Sequence, residues 1–243
     1  MVNKFLHPNG GSETYIFELG AYLQQAGHEV EYFGMEHAGR IVGNRSACYT
    51  ADMDFHTGKL SRLLYPFKIL YSLEAKKKIG RLLKEFAPDV VHINNINFQL
   101  TPSVIDAVRS YEKRSRRRVK IVATAHDYQW VCPNHMLFIP LQGCPCTRCL
   151  GGHYANCIKY RCIHGSAMKS FLGALEGYLY RFWGTYKKVD SVICPSAFLA
   201  EKLATYPALR DRLTVLHNFV ADAQGERDGK AVEEIAQMSL PGD

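Results

Sequence analysis

Residues 2–34 read VNKFLHPNGGSETYIFELGAYLQQAGHEVEYFG, and three consecutive segments of this stretch decide the fold. Residues 2–5 form a short apolar run with strand character. The turn His7-Pro8-Asn9-Gly10-Gly11-Ser12-Glu13 follows. A helical period then runs from Ser12, read as the N-cap, to Ala26, with Tyr15, Leu19 and Leu23 on one face and Gly27 as its stop. Residues 29–33 supply the next strand. Strand, helix and strand joined by tight turns make a βαβ unit, which calls for a parallel sheet.

The same alternation continues outward. Further strands are predicted at 90–93, 120–126, 191–194 and 213–217, and helices at 66–86, 102–113, 169–186 and 197–205. The fold class is therefore α/β, a Rossmann-like doubly wound parallel sheet. Residues 1–222 read as one domain, with 223–243 as a polar linker or tail. Two long irregular segments, 34–60 and 127–167, interrupt the pattern, and loops of that length in a compact domain are functional or cross-linked.

Composition narrows the class. A chain of 243 residues with 47% hydrophobic and 22% charged residues is globular, and collagen, coiled coil and low-complexity architectures are excluded. No apolar run reaches the length of a membrane span, and Pro8 and Gly10 come before any signal-peptide apolar region develops, so a cytoplasmic location is expected. The net charge of +7 is concentrated in Lys113, Arg114, Arg116, Arg117, Arg118 and Lys120. That run is either a solvated helix end or a patch for an anionic membrane surface. Nucleic acid is not an expected partner, because no binding motif accompanies it.

Four features carry chemistry. The paired glycines Gly10 and Gly11 let the backbone approach a ligand, and the helix beyond them offers N–H groups to an anion, yet neither a dinucleotide fingerprint nor a P-loop is present. His126-Asp127 ends a strand, where open α/β sheets collect ligands, and His92 ends another. The loop at 127–167 holds six of the eight cysteines. Among them Cys146 and Cys149 have C-x2-C spacing, and Cys157 and Cys162 complete a possible zinc set, with reduced thiols, disulfides or an iron–sulfur cluster as alternatives. Cys132, Cys144, His153 and His164 remain alternative ligands. Finally, Phe171, Leu175, Tyr178 and Phe182 share a helix face that reads as core or as a membrane-interface surface.

Taken in order, the opening stretch, PDVVHINN, IVATAHDYQWVCPN, VDSVICPSAFLAEKL and LTVLHNFVAD resemble the N-terminal domain of family-4 glycosyltransferases, from Val2 to about Asp222. The cysteine loop resembles a bacterial surface-polysaccharide subgroup. The resemblance implies one half of a GT-B architecture, retaining chemistry, a nucleotide-sugar donor as substrate and a glycan or lipid-linked acceptor, with no catalytic cofactor. It places Gly10 and Gly11 near the donor diphosphate, His126 on the donor sugar and Asn218 at the hinge. His126 and Asp127 are then the expected catalytic residues. Gly10, Gly11, Glu13, His92, Asn134 and Asn218 are the expected substrate-binding set. A C-terminal donor domain is the part of that architecture expected to be missing, leaving this chain inactive by itself. Glu226 and Glu234 have the family's E-x7-E spacing but lack the scaffold that should precede it.

Overall fold

The structure is a computed structural model that describes residues 1–51, 70–97 and 100–219. The predicted helix start at Pro66, part of the first irregular segment, and the tail with Glu226 and Glu234 lie outside these residues. The chain divides into two compact units, one of Met1–Thr124 continued from Asn218, the other of Ala125–His217.

In the first unit the opening segment is bonded on both sides. Val2 N–H donates to His92 O (2.7 Å) and Lys4 N–H to Asn95 O (2.7 Å), while Phe33 N–H donates to Met1 O (2.9 Å) and Met35 N–H to Lys4 O (3.0 Å). Val2 bridges Phe33 and Ile93, both in parallel. The strand predicted at 2–5 is thus reduced to a bridge at Val2, because Asn3 Nδ2 donates to Phe5 O (2.8 Å) and takes that carbonyl out of the ladder. The strand predicted at 29–33 likewise shifts to bridges at Phe33 and Met35. Gly34 is required here, since a Cβ would lie 2.3 Å from Asn3 O.

Next to this segment runs β1, Val90–Ile93, paired in parallel with β2, Lys120–Thr124, so that Val90 stands opposite Lys120 and Ile93 opposite Ala123. Both strands are buried over nearly their whole length, as parallel strands covered by helices must be. The helices are α1 (Gly11–Gln25), α2 (Leu73–Phe86) and α3 (Ser103–Ser115). The α2 helix buries Ala75, Ile79, Leu82 and Leu83, one stripe at helical spacing, and packs against α3. Ser72 Oγ caps it by accepting from Ala75 N–H (3.1 Å). At the C-terminus of α3, residues 113–118 are solvent-exposed and Arg117 pairs with Asp89 (3.2 Å).

The second unit contains β3 (Phe138–Ile139) antiparallel to β4 (Cys144–Pro145), the short α4 (Ala155–Lys159), α5 (Ala167–Phe182), β5 (Ser191–Cys194), α6 (Ala197–Leu203) and β6 (Leu213–Val215). β5 pairs in parallel with β6, and Ser166 and Ser196 cap α5 and α6 through Lys169 N–H and Leu199 N–H. The indole of Trp130 stacks on Tyr186 at 4.5 Å. With a parallel pair in each unit and a helix between the two strands of each pair, the chain is mixed α/β, as the Rossmann-like class requires.

The orientation of α5 decides between the two readings of its aromatic face. The helix buries Ser170, Ala174 and Tyr180 and exposes Met168, Phe171, Tyr178 and Phe182, the last at 86%. The core reading of that face fails for Phe171, Tyr178 and Phe182, while Leu175 is half-buried. Small residues let the helix lie close to its unit, and Gly177 has no room for a Cβ beside Tyr154, so the bulky stripe faces solvent.

Candidate functional site

In the first unit the glycine turn leads straight into α1. The helix begins at Gly11, with Gly10 extended as the N-cap and no side chain capping it. Ser12, the expected cap, is occupied elsewhere: its hydroxyl donates to Glu13 Oε1 (2.9 Å) and accepts from Asn95 Nδ2 (2.8 Å). Gly10 and Gly11 are exposed. A Cβ on Gly11 would meet nothing within 4 Å, and one on Gly10 only Glu13 Oε2 at 3.5 Å. The fold itself therefore needs glycine at neither position. What glycine provides there is an open helix N-terminus, where N–H groups and the positive end of the helix dipole face outward.

Glu13 points the other way. Its carboxylate is 2% exposed and accepts from Asn3 Nδ2 (2.7 Å) as well as from Ser12, while Asn3 Oδ1 accepts from Asn95 N–H (3.0 Å). Both Asn3 amide hydrogens are used, one on Glu13 and one on Phe5 O. A carboxylate in the first turn also complements the helix dipole, so this knot ties the turn to the opening segment and to the end of β1.

Deeper in the same unit, His92 Nε2 lies 2.8 Å from Thr124 Oγ1, which lies 3.2 Å from the Tyr15 hydroxyl. The Tyr15 ring meets His92 edge-on at 6.1 Å and Phe219 at 5.4 Å, and burial raises its phenol above the ordinary value. His92 is 6% exposed and faces this relay. Asn218 is exposed beside Phe219. Tyr15 and Thr124 read as core and strand in the sequence, and only their meeting with His92 marks them out.

In the second unit, His126 is half-buried and follows Ala125, whose N–H donates to Ile193 O (2.9 Å). Asp127 Oδ1 accepts from Gln129 N–H (2.8 Å), and its other oxygen is 3.5 Å from His135 Nδ1. Asn134 accepts from Cys132 Sγ (2.8 Å) and Met136 N–H (3.1 Å) and donates to Phe138 O. The Asp127–His135 contact brings Asp127 close to the Asn134 turn. Glu176 belongs to the same surroundings. Burial raises its carboxyl, opposed by His135 and by the Tyr180 hydroxyl. Nothing in its sequence context sets Glu176 apart from an ordinary surface glutamate of an amphipathic helix.

Five cysteines converge in the loop. Cys132, Cys146, Cys149, Cys157 and Cys162, with Asn134 and Phe138, line a cavity of about 10 Å³, room for one water-sized sphere. Burial pushes the Cys149 thiol up to about 12, and it raises Cys157 and Cys162 as well. Among the described residues no three or more His, Cys, Asp or Glu side chains form a ready metal-ligand group. Cys194 is fully buried in β5 and Cys48 is buried in the other unit.

The sequence profile of Glycosyltransferase Family 4 matches residues 9–224. A protein described as an uncharacterized 42.6 kDa protein in the cps region of Klebsiella pneumoniae is 24% identical over 151 residues, which cover 57% of this chain and 39% of that protein. The chain thus spans well under half of that relative. No described helix is long and apolar enough to cross a membrane.

Proposed function

The chain belongs to glycosyltransferase family 4, and on that premise we propose that it is the acceptor-side, N-terminal part of a retaining enzyme that transfers a sugar from a nucleotide-sugar to a glycan or lipid-linked acceptor. The open turn at Gly10 and Gly11 carries the reading. An uncapped helix N-terminus with space in front of it suits the departing diphosphate, whose charge grows as the glycosidic bond breaks. In the step itself the acceptor hydroxyl oxygen bonds to the anomeric carbon on the face the diphosphate leaves. The C–O bond to phosphate breaks with its electron pair, and the acceptor proton passes to the departing phosphate oxygen. His126 donates a hydrogen bond to the donor sugar and Asp127 helps to orient it. His92 and Asn134 support acceptor binding, and Asn218 forms the hinge to a donor domain. Much of the rate enhancement then comes from positioning.

Capsule or other surface-polysaccharide synthesis is the setting suggested by the relative from a cps region. A lipid-linked acceptor also gives the exposed α5 stripe a use. Met168, Phe171 and Phe182 would enter the interface at an inner membrane face, with exposed Lys169 and Lys187 on anionic headgroups. Vesicles with and without anionic lipid test this part, and absence of salt-sensitive binding sinks it.

Joining the chain to a donor domain and assaying sugar transfer tests the whole. His126→Ala should lower kcat/KM by roughly 100-fold or more, the usual scale for a lost transition-state hydrogen bond. An unchanged rate removes His126 from the site. A chain that binds acceptor but never supports transfer with any donor domain would instead be a non-catalytic binding module.

A further inference from the structure

The cysteine chamber is unused by sugar transfer, and its surroundings need an explanation. The hydrophobic cluster around it consists of Ile139, Cys149, Tyr154, Cys157, Cys162 and Ala174, so half of its buried members are cysteines. Ordering each loop residue costs backbone entropy, and a buried thiol returns less than a large aliphatic side chain does. Of the large apolar residues buried in the loop, only Ile139 and Tyr154 belong to this cluster, and a core half made of thiols resembles that of small domains that rely on a cross-link or a metal.

The backbone frames the chamber from three directions. Cys146 N–H donates to Leu137 O (2.7 Å), His153 N–H to Cys149 O (3.1 Å) and Cys162 N–H to Cys157 O (3.1 Å). The five sulfurs differ in their partners. Cys132 donates to Asn134 Oδ1, while its sulfur also accepts from backbone N–H groups of residues 134–137. Cys146 instead receives Arg148 Nη1 at 3.8 Å, an arrangement suited to a thiolate. Cys149, Cys157 and Cys162 are buried at 5%, 1% and 6%, and their hydrogen bonds run largely among themselves: Cys162 to the Cys157 side chain, Cys149 to the Cys157 backbone, with Ser170 on Cys157.

We propose that this chamber holds one zinc ion through Cys146, Cys149, Cys157 and Cys162, with Cys132 as a neutral wall hydrogen-bonded to Asn134 and Arg148 as an outer partner of the Cys146 sulfur. Zinc–sulfur bonds of about 2.3 Å place tetrahedral sulfurs roughly 3.8 Å apart, close to the contact distance of two thiols. Zinc binding would bring the four sulfurs that line the chamber to that spacing. The four thiols release their protons to solvent on binding, and no electron transfer is involved.

The test uses the full chain, purified without oxygen from zinc-supplemented culture. Metal is measured by mass spectrometry and thiols are titrated before and after a strong chelator. About one zinc per chain, with four thiols exposed only on chelation, supports the site. Cobalt substitution should add a thiolate-to-cobalt charge-transfer band and the strong visible bands of a tetrahedral centre. Cys146→Ser, at a half-exposed position that tolerates a hydroxyl, should lose the metal while remaining folded. Cys132→Ser and Cys48→Ser should keep it, and Arg148→Met should weaken it about 10–100-fold. A metal-free chain with all eight thiols reactive overturns the proposal, as does a chain lighter by the hydrogens lost to disulfides. Retention of full metal by Cys146→Ser would also overturn the ligand set.

Discussion

The glycine turn at 10–11 and the cysteine loop at 127–167 are the two conspicuous motifs of the chain, and the fold treats them in opposite ways. Glycine is sterically required at neither turn position, and both residues are exposed. The cysteines Cys149, Cys157 and Cys162 make up half of the buried cluster in their loop. A motif that the fold does not need is available to a ligand; a motif that the fold buries holds structure together. Mutating the two regions should therefore separate activity from stability.

The largest stability effect is expected in the aliphatic core of the first unit rather than in the turn. Ile79→Ala removes a fully buried side chain from α2 and should cost about 2–5 kcal/mol in urea unfolding. A cost under 1 kcal/mol would mean that the first unit does not rest on its aliphatic core. In the loop, Cys157→Ser buries a hydroxyl in place of a thiol at 1% exposure and should cost about 1–3 kcal/mol, read most directly as faster proteolytic cleavage within 127–167. Cleavage at the wild-type rate would make the cysteines dispensable and end the contrast.

Glu176→Gln comes next and has a defined pH dependence. The native carboxyl titrates above the ordinary 4.5. Below that value both states are protonated and the substitution changes little. As pH rises, the unfolded carboxyl ionises freely while the folded one resists, so the wild type loses stability that the amide variant keeps. Denaturation midpoints at pH 4 and pH 7 should diverge in favour of the variant at pH 7. The smallest stability effect belongs to Gly11→Ala, within about 0.5–1 kcal/mol and in the stabilising direction, because alanine is the better helix residue and the added methyl meets nothing. The same variant should reduce transfer by a two-domain enzyme. Full activity would show that nothing approaches the turn.

Much of the framework was legible from local pattern. β1 and β5 lie where the apolar runs place them, and Gly27, with φ of +91°, follows the end of α1 as a stop should. Misreadings occurred where a side chain met a partner distant in sequence. Ser12 fits an N-cap until Asn95, 83 residues away, claims its hydroxyl. Residues 2–5 alternate like a strand until Asn3 diverts Phe5 O. The site was partly legible as well: the glycine turn and the cysteine spacing are visible in one dimension, whereas the relay from His92 through Thr124 to Tyr15 and the burial of Glu176 are not.

The division has a physical basis. Periodicity, glycine and cysteine spacing depend on neighbours within a few residues, so the sequence by itself determined the α/β class, the order of most elements and the existence of two special loops. Which face of α5 meets water depends on the fit of Ala174 and Gly177 against residues folded in from elsewhere. So does the anchoring of Glu13 by the Asn3 amide, ten residues earlier in the chain. Hydrogen-bond and packing partners far apart in sequence are selected only when the chain closes on itself, and the tertiary structure alone made those decisions.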